Sequence, residues 1–93
     1  MLENFIITNH AISRYAERIG YNKNDIIKRI KSDLYFTKTI RIVNHEDTRY
    51  IFTYNSKEFI FKKSNGLWIL KTVIKRNRER HYEAIEKRKT IYI

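Results

Sequence analysis

One nine-residue segment holds the sharpest cluster of side chains that could do chemistry. It reads HAISRYAER over residues 10–18 and spaces His10, Arg14 and the Glu17-Arg18 pair three or four positions apart, which aligns them on one face of a helix. An imidazole titrates near neutrality and suits general acid/base catalysis, and a guanidinium holds two phosphate oxygens at once. Cleavage of RNA by its own 2′-OH needs a base, an acid, and cations for the charge that develops on phosphorus. The spacing therefore indicates a metal-independent ribonuclease site or, alternatively, a solvated helix face with an ion-pair network and an incidental histidine.

A second concentration of charge lies in the last fifth of the chain. Residues 75–93 carry seven bases and three acids, and their interleaved glutamates could also hold the bases in a self-contained helix. His81 and Tyr82 lie in this region, where the imidazole could supply a second acid/base group or a ring could stack on a nucleobase; an exposed tail histidine without a role is the alternative. The residues that we expect to bind RNA are Arg18, Lys75, Arg76, Arg78, Arg80, His81, Tyr82 and Arg88.

The whole chain is strongly basic. Twenty Lys and Arg against ten Asp and Glu give a net charge of +10 over 93 residues. The abundance of Ile, Lys, Asn, Tyr and Phe is typical of an A/T-rich gene, from a low-GC bacterium or its phage, and this bias inflates the lysine content but does not account for the arginines. Because each cation that neutralises a phosphate releases counterions, such a surface binds polyanions. RNA is therefore the partner that we expect.

Several classes of function are not expected. The chain has no cysteine, which excludes a disulfide framework, a thiolate zinc site and a thiol nucleophile, and which fits a reducing cytosol. The three histidines lack the spacing of a zinc site, and His45 lies in an acidic turn that would repel phosphate. No glycine-rich phosphate loop or catalytic triad order is present, so neither a metal nor a cofactor is expected. Residues 1–4 lack the basic region and apolar stretch of a signal peptide, and no apolar run approaches the roughly 20 residues that span a bilayer, so we expect a cytoplasmic protein without a membrane partner.

The elements that must position these side chains are easy to place, because proline is absent and only two glycines occur. The pattern predicts a strand at residues 5–7, a helix over residues 10–19 that Thr8 or Asn9 caps and Gly20 ends, and a second helix that begins after Asn24. From residue 38 the hydrophobic period changes from 3.6 to 2, which predicts strands. These are Thr39–Val43, Thr48–Tyr54, Lys57–Lys63 and Leu67–Arg76, the last two joined by an Asn65-Gly66 hairpin.

The tail and the sheet faces complete the expected architecture. Residues 77–89 are expected to be helical and residues 90–93 to form a closing strand. In the last long strand, the side chains at positions 68, 70, 72 and 74 are expected to share one face. The sequence thus predicts a single α+β domain over residues 1–93, with a short N-terminal strand, two helices packed on an antiparallel four- to five-stranded sheet, and a basic C-terminal helix or tail over residues 77–93.

The order of these elements resembles a known family. A short strand, a helix that opens with His-Ala-x-x-Arg-x-x-Glu-Arg, a second helix and a meander that ends in a strand such as ILKTVI (residues 69–74) are similar to the RelE-like branch of the barnase–EndoU–colicin–RelE superfamily of nuclease toxins. The resemblance covers about residues 5–76. It implies metal-independent cleavage of mRNA, ribosome-bound mRNA or tRNA around an open sheet face. Carried over by position, it singles out His10 and Arg14 on the helix, with Lys71 and Thr72 on the strand, as catalytic residues.

Two functions follow from these patterns. The first is a metal-independent endoribonuclease of phage or toxin origin that acts on tRNA or translated mRNA, against host translation or RNA-based defence, with an antitoxin as a further partner. The second is a non-enzymatic inhibitor that binds RNA or a host ribonucleoprotein complex, for example a phage anti-CRISPR or host-takeover protein. His10 discriminates between them, because an enzyme places His10 and Arg14 in a cleft facing Lys71, whereas a binder needs only the charge.

Overall fold

The chain folds into a five-stranded sheet with three helices. The computed structural model describes residues 5–92, apart from the side chains of Lys23, Phe36 and residues 90–92. A single 3₁₀ turn, Phe36–Lys38, leads from the second helix into the sheet. The other elements, in chain order, are β1 (Phe5–Ile7), α1 (Asn9–Ile19), α2 (Lys23–Asp33), β2 (Thr39–His45), β3 (Thr48–Thr53), β4 (Lys57–Ser64), β5 (Leu67–Lys75) and α3 (Arg78–Tyr92).

The helix ends follow ordinary capping chemistry. The Thr8 hydroxyl accepts a hydrogen bond from the Ala11 amide, and Gly20 ends α1 in the left-handed conformation at φ 90°, as the sequence predicts. The predicted cap of α2 was wrong: Asn22 rather than Asn24 has the extended backbone, and its side chain accepts from the Asp25 amide. The closing strand expected at residues 90–93 was also wrong for residues 90–92. These continue α3, because extending a formed helix adds one hydrogen bond per residue; Ile93 lies outside the described residues.

The sheet has the strand order β1-β5-β4-β3-β2. Strands β2 to β5 form the expected antiparallel meander, whereas β1 pairs with β5 in parallel, so the sheet is mixed. Asn65 and Gly66 both have positive φ, 51° and 78°, which confirms the predicted hairpin. Among the described residues, no helix is long and apolar enough to cross a bilayer.

Helices cover both faces of the sheet. α1 and α2 pack on one face, where the core includes Tyr15, Ile30 and Phe59. α3 packs on the other face, where Ile85 meets Tyr50 and Phe52. Because β4 is covered on both sides, its residues from Lys57 to Phe61 are buried or nearly so without alternation.

A β-bulge at Lys71 changes the side-chain pattern of β5. The pairing of β4 with β5 steps from Ile60–Thr72 to Phe61–Leu70, so Lys71 has no partner across the ladder. The alternation therefore shifts by one residue. Leu70 and Val73 both point into the core under α1, and Thr72 and Ile74 pair with residues on the α3 side. The expectation that positions 68, 70, 72 and 74 share one face was therefore wrong beyond Leu70.

A buried polar cluster joins α1, α2 and β4. The Lys57 ammonium lies 2.7 Å from Asp33 Oδ2, and the Tyr15 hydroxyl donates to the same oxygen at 2.8 Å. The Asn55 amide donates to Asp33 Oδ1 at 3.0 Å. Both oxygens of the buried carboxylate are thus satisfied, as burial of a charge requires. Burial and the neighbouring Asp33 raise the pKa of Tyr15, so the phenol remains a donor to this carboxylate.

Candidate RNA-binding and cleavage site

The first turn of α1 is fixed beside the bulge of β5. The Thr8 hydroxyl donates to the Leu70 carbonyl at 2.8 Å and accepts from the Ala11 amide at 3.1 Å. His10 lies two residues after Thr8 and Lys71 directly follows Leu70, and both side chains are exposed. One hydrogen bond therefore holds together the two backbone segments that carry His10 and Lys71.

The arginines of α1 have different environments. Arg14 Nη1 lies 3.1 Å from Glu17 Oε2, and the two side chains are 41% and 62% exposed, so a phosphate could exchange with this carboxylate at small cost. Arg18 Nη1 instead donates to the Val73 carbonyl at 2.6 Å. That carbonyl belongs to the part of β5 that extends beyond β1. Arg18 thus bonds the C-terminal end of α1 to the sheet, and one of its donors is already used within the fold.

Thr72 does not share this surface. It pairs with Ile60, which packs against the core on the α3 side, whereas α1 packs on the opposite face. The structure therefore brings the His10 and Lys71 backbones together and places Thr72 on the other side of the sheet. No hydrogen bond or ion pair among the described residues joins His10 to Arg14 or Lys71.

Two arginines that the sequence assigns to RNA converge on a buried carboxylate. Glu58 is fully buried, and its Oε1 lies 2.6 Å from Arg76 Nη1 while its Oε2 lies 3.2 Å from Arg88 Nε. The Arg88 guanidinium also stacks on the Tyr50 ring, 4.0 Å from its centroid. Arg88 therefore holds α3 on the sheet, and Arg76 holds the segment that leads from β5 into α3. The signal for this pairing in the sequence is a glutamate within an apolar strand, because a buried carboxylate requires cations nearby.

His81 is an interior residue in this structure. Its ring is 1% exposed and lies against Phe52. Its Nε2 is 2.8 Å from the Thr53 carbonyl, so this nitrogen carries the proton, and Nδ1 has no hydrogen-bond partner within the described residues. The ring is thus not presented to RNA, contrary to the expectation from sequence. Burial lowers the pKa of His81, and the nearby Arg76 and Lys75 lower it further; together they outweigh the hydrogen bond to Thr53 and the charge of Glu58, which raise it.

The lowered pKa of His81 makes the stability depend on pH. The unfolded chain takes up a proton on His81 near pH 6.5, whereas the folded protein resists it, so the unfolded state binds more protons as the pH falls. We expect the free energy of unfolding to be highest above that pH and to decrease below it. His81→Gln, whose amide can still donate to the Thr53 carbonyl, should remove this component, and His10→Gln should retain it. Urea unfolding between pH 5 and pH 8 measures the difference; an identical pH dependence in the wild type and His81→Gln would contradict it.

The remaining predicted RNA-binding residues are on the surface. Arg78 and Arg80 are exposed on the first turn of α3, and Arg80 has only a long contact of 3.9 Å with Glu83. Tyr82 is 44% exposed. Lys75 is exposed, and its ammonium donates to the Asn55 carbonyl at 2.9 Å. The pKa of Lys75 is lowered, mainly because the ammonium is partly desolvated and also because the charge of Lys57 is near.

The described residues contain no group of three or more His, Cys, Asp or Glu side chains that could hold a metal ion. Comparison of the chain with protein-family models, curated proteins and solved structures finds no match. The support for a function therefore comes from the side chains and their positions.

Proposed function

We propose that this protein is a metal-independent endoribonuclease that acts in the cytoplasm on tRNA or translated mRNA, as the RelE-like resemblance implies. The observation that carries the proposal is the 2.8 Å bond from Thr8 to the Leu70 carbonyl. It holds the backbone segment that carries the exposed His10 next to the segment that carries the exposed Lys71, on a domain with a net charge of +10. Attack by the 2′-OH of RNA requires at least a general base, which an imidazole provides, and cations that stabilise the charge on phosphorus.

The proposed reaction uses three side chains. The His10 imidazole accepts the proton of the 2′-OH, and the resulting 2′-oxygen forms a bond to the adjacent phosphorus. Lys71 and Arg14 stabilise the negative charge on the phosphorane oxygens, with Arg14 leaving Glu17 to do so. The bond from phosphorus to the 5′-oxygen then breaks, and solvent protonates the leaving oxygen. The products are a 2′,3′-cyclic phosphate and a 5′-OH.

Two observations favour the non-enzymatic alternative. His81, which could have supplied the second acid/base group, is buried, and His45 is at the far end of β2, beside the turn that carries Glu46 and Asp47. A binder of RNA or of a host ribonucleoprotein needs only the exposed cations. Incubation of purified protein with total RNA and EDTA, followed by mapping of the cut ends, separates the two. Discrete cuts support the enzyme, whereas intact RNA that the protein retains on a filter supports the binder.

RNA affinity should depend steeply on salt. Each phosphate contact on single-stranded RNA contributes about −0.7 to the slope of log K against log[salt], and Arg78 and Arg80 are exposed on α3. We expect Arg78→Gln with Arg80→Gln to reduce the magnitude of this slope by about 1.4. The control, Lys28→Gln with Lys31→Gln, makes the same charge change on exposed positions of α2. Fluorescence anisotropy at several salt concentrations gives the slopes; equal reductions in both variants would show that α3 has no special role.

A further inference from the structure

A small cavity lies between α3 and the end of β5. Arg76, Ala84, Lys87 and Arg88 line it, and its volume is about 160 Å³. One water occupies roughly 30 Å³, whereas sites for drug-sized ligands measure about 300–1,000 Å³. The cavity is therefore too small for a whole nucleoside and large enough for a compact polar group.

The charge around this cavity is unbalanced. Three of its four lining residues are cations, and none is acidic. The adjacent carboxylate is Glu58, which is fully buried and shared by Arg76 and Arg88. Lys87 is exposed and makes no ion pair within the described residues. Three cations and one carboxylate leave an excess of two positive charges.

The two guanidinium groups are held in place before any ligand binds. Arg88 pairs with Glu58 through Nε and stacks on the Tyr50 ring. Arg76 pairs with Glu58 through Nη1. Because a guanidinium has five N–H donors, each arginine retains further donors. Pre-organised donors lower the entropy that binding must overcome.

We propose that this cavity binds a terminal phosphate group of RNA. A phosphomonoester carries a charge of about −1.5 to −2 near neutral pH, which matches the excess of two positive charges, whereas an internal phosphodiester carries one negative charge. The statement that the phosphate belongs to RNA rests on the proposed function. The fit of a phosphate group to the cavity does not. The cavity lies on the side of the sheet that α3 covers, whereas α1, which carries His10, packs on the opposite side. A phosphate bound in the cavity would therefore lie on a different face of the domain from His10.

Inorganic phosphate tests the cavity without RNA. In ¹H–¹⁵N spectra at pH 7.5, titration with phosphate should shift the amides of residues 84–88 saturably in the wild-type protein. The shifts should be lost in Lys87→Ala and kept in Lys89→Ala, which removes the same charge two residues further along α3, at a residue that pairs with Glu86. Absence of saturable shifts in the wild type, or equal shifts in both variants, would overturn the proposal.

Three labelled oligoribonucleotides then identify the source of the phosphate, one with a 5′-phosphate, one with a 3′-phosphate and one with hydroxyls at both ends. One of the phosphorylated strands should bind about tenfold more tightly than the hydroxyl strand, and Lys87→Ala should remove this advantage while Lys89→Ala retains it. Equal binding of all three strands would exclude RNA ends as the ligand. Failure of all three to bind, with phosphate shifts present, would instead refute RNA as the substrate and leave a site for a free phosphorylated molecule.

Discussion

Replacing His10 with alanine should lower the rate of RNA cleavage by about 10²–10⁴-fold, the usual effect of removing one acid/base group. The imidazole is exposed on the first turn of α1 and has no packing role in the described core, so the fold should be unaffected. Lys71→Ala should lower the rate by about 10²–10³-fold if its ammonium stabilises the phosphorane as an oxyanion-hole donor does. Single-turnover cleavage with excess protein measures both rates.

Matched variants separate catalysis from general charge. His45→Ala removes the other exposed histidine, and Lys62→Ala removes an exposed lysine from β4, the strand next to Lys71. Both should cleave at the wild-type rate. Circular dichroism and urea unfolding should show that all four variants are folded. Full activity in His10→Ala would refute the assigned site even if the protein is a ribonuclease.

The second large effect concerns stability. Asp33→Asn should decrease the free energy of unfolding by about 3–5 kcal/mol, because it leaves the Lys57 ammonium buried without its counterion. The side chains of Lys57 and Asp33 are each 8% exposed, so water cannot solvate the Lys57 ammonium once its counterion is removed. Urea unfolding at pH 7 gives the change.

Two controls test whether burial is the reason. Glu17→Gln breaks the exposed pair with Arg14 and should change the free energy of unfolding by less than about 1 kcal/mol. The double variant Asp33→Leu with Lys57→Met removes both buried charges and should recover part of the loss; the Tyr15 hydroxyl and the Asn55 amide, which lose their acceptor, account for the remainder. Equal effects of Asp33→Asn and Glu17→Gln would contradict a structural role for the buried cluster.

Local pattern was sufficient to place most elements of the fold. The change of period near residue 38, the Asn65-Gly66 turn and the cap at Thr8 all depend on neighbours within a few positions, and each was confirmed. The bulge at Lys71 was not predictable, because it arises from the register between β4 and β5. A shift of that register by one residue moves Thr72 away from the face that α1 covers.

The roles of the charged residues were harder to predict for the same reason. Asp33 meets Lys57 across 24 positions and Glu58 meets Arg88 across 30, so nothing local marks these side chains as buried. Arg76, Arg88 and His81 lie in a segment whose composition indicates a solvated surface. Arg88 and His81 nevertheless pack α3 onto the sheet, and Arg76 pairs with the buried Glu58. By contrast, the exposure of His10 follows from its place opposite the apolar stripe of α1, and the sequence alone was sufficient for that assignment.

The chemistry at the cut site is the most direct test of the ribonuclease proposal. Two synthetic RNAs should be compared in EDTA, one entirely of ribose and one with a single 2′-deoxyribose on the 5′ side of a mapped cut. We expect the first to be cut to a 2′,3′-cyclic phosphate and a 5′-OH, and the second to remain intact at that position because it lacks the attacking hydroxyl. Equal cleavage of both strands, or products with a 3′-OH and a 5′-phosphate, would contradict cleavage by the neighbouring 2′-OH with His10 as the base.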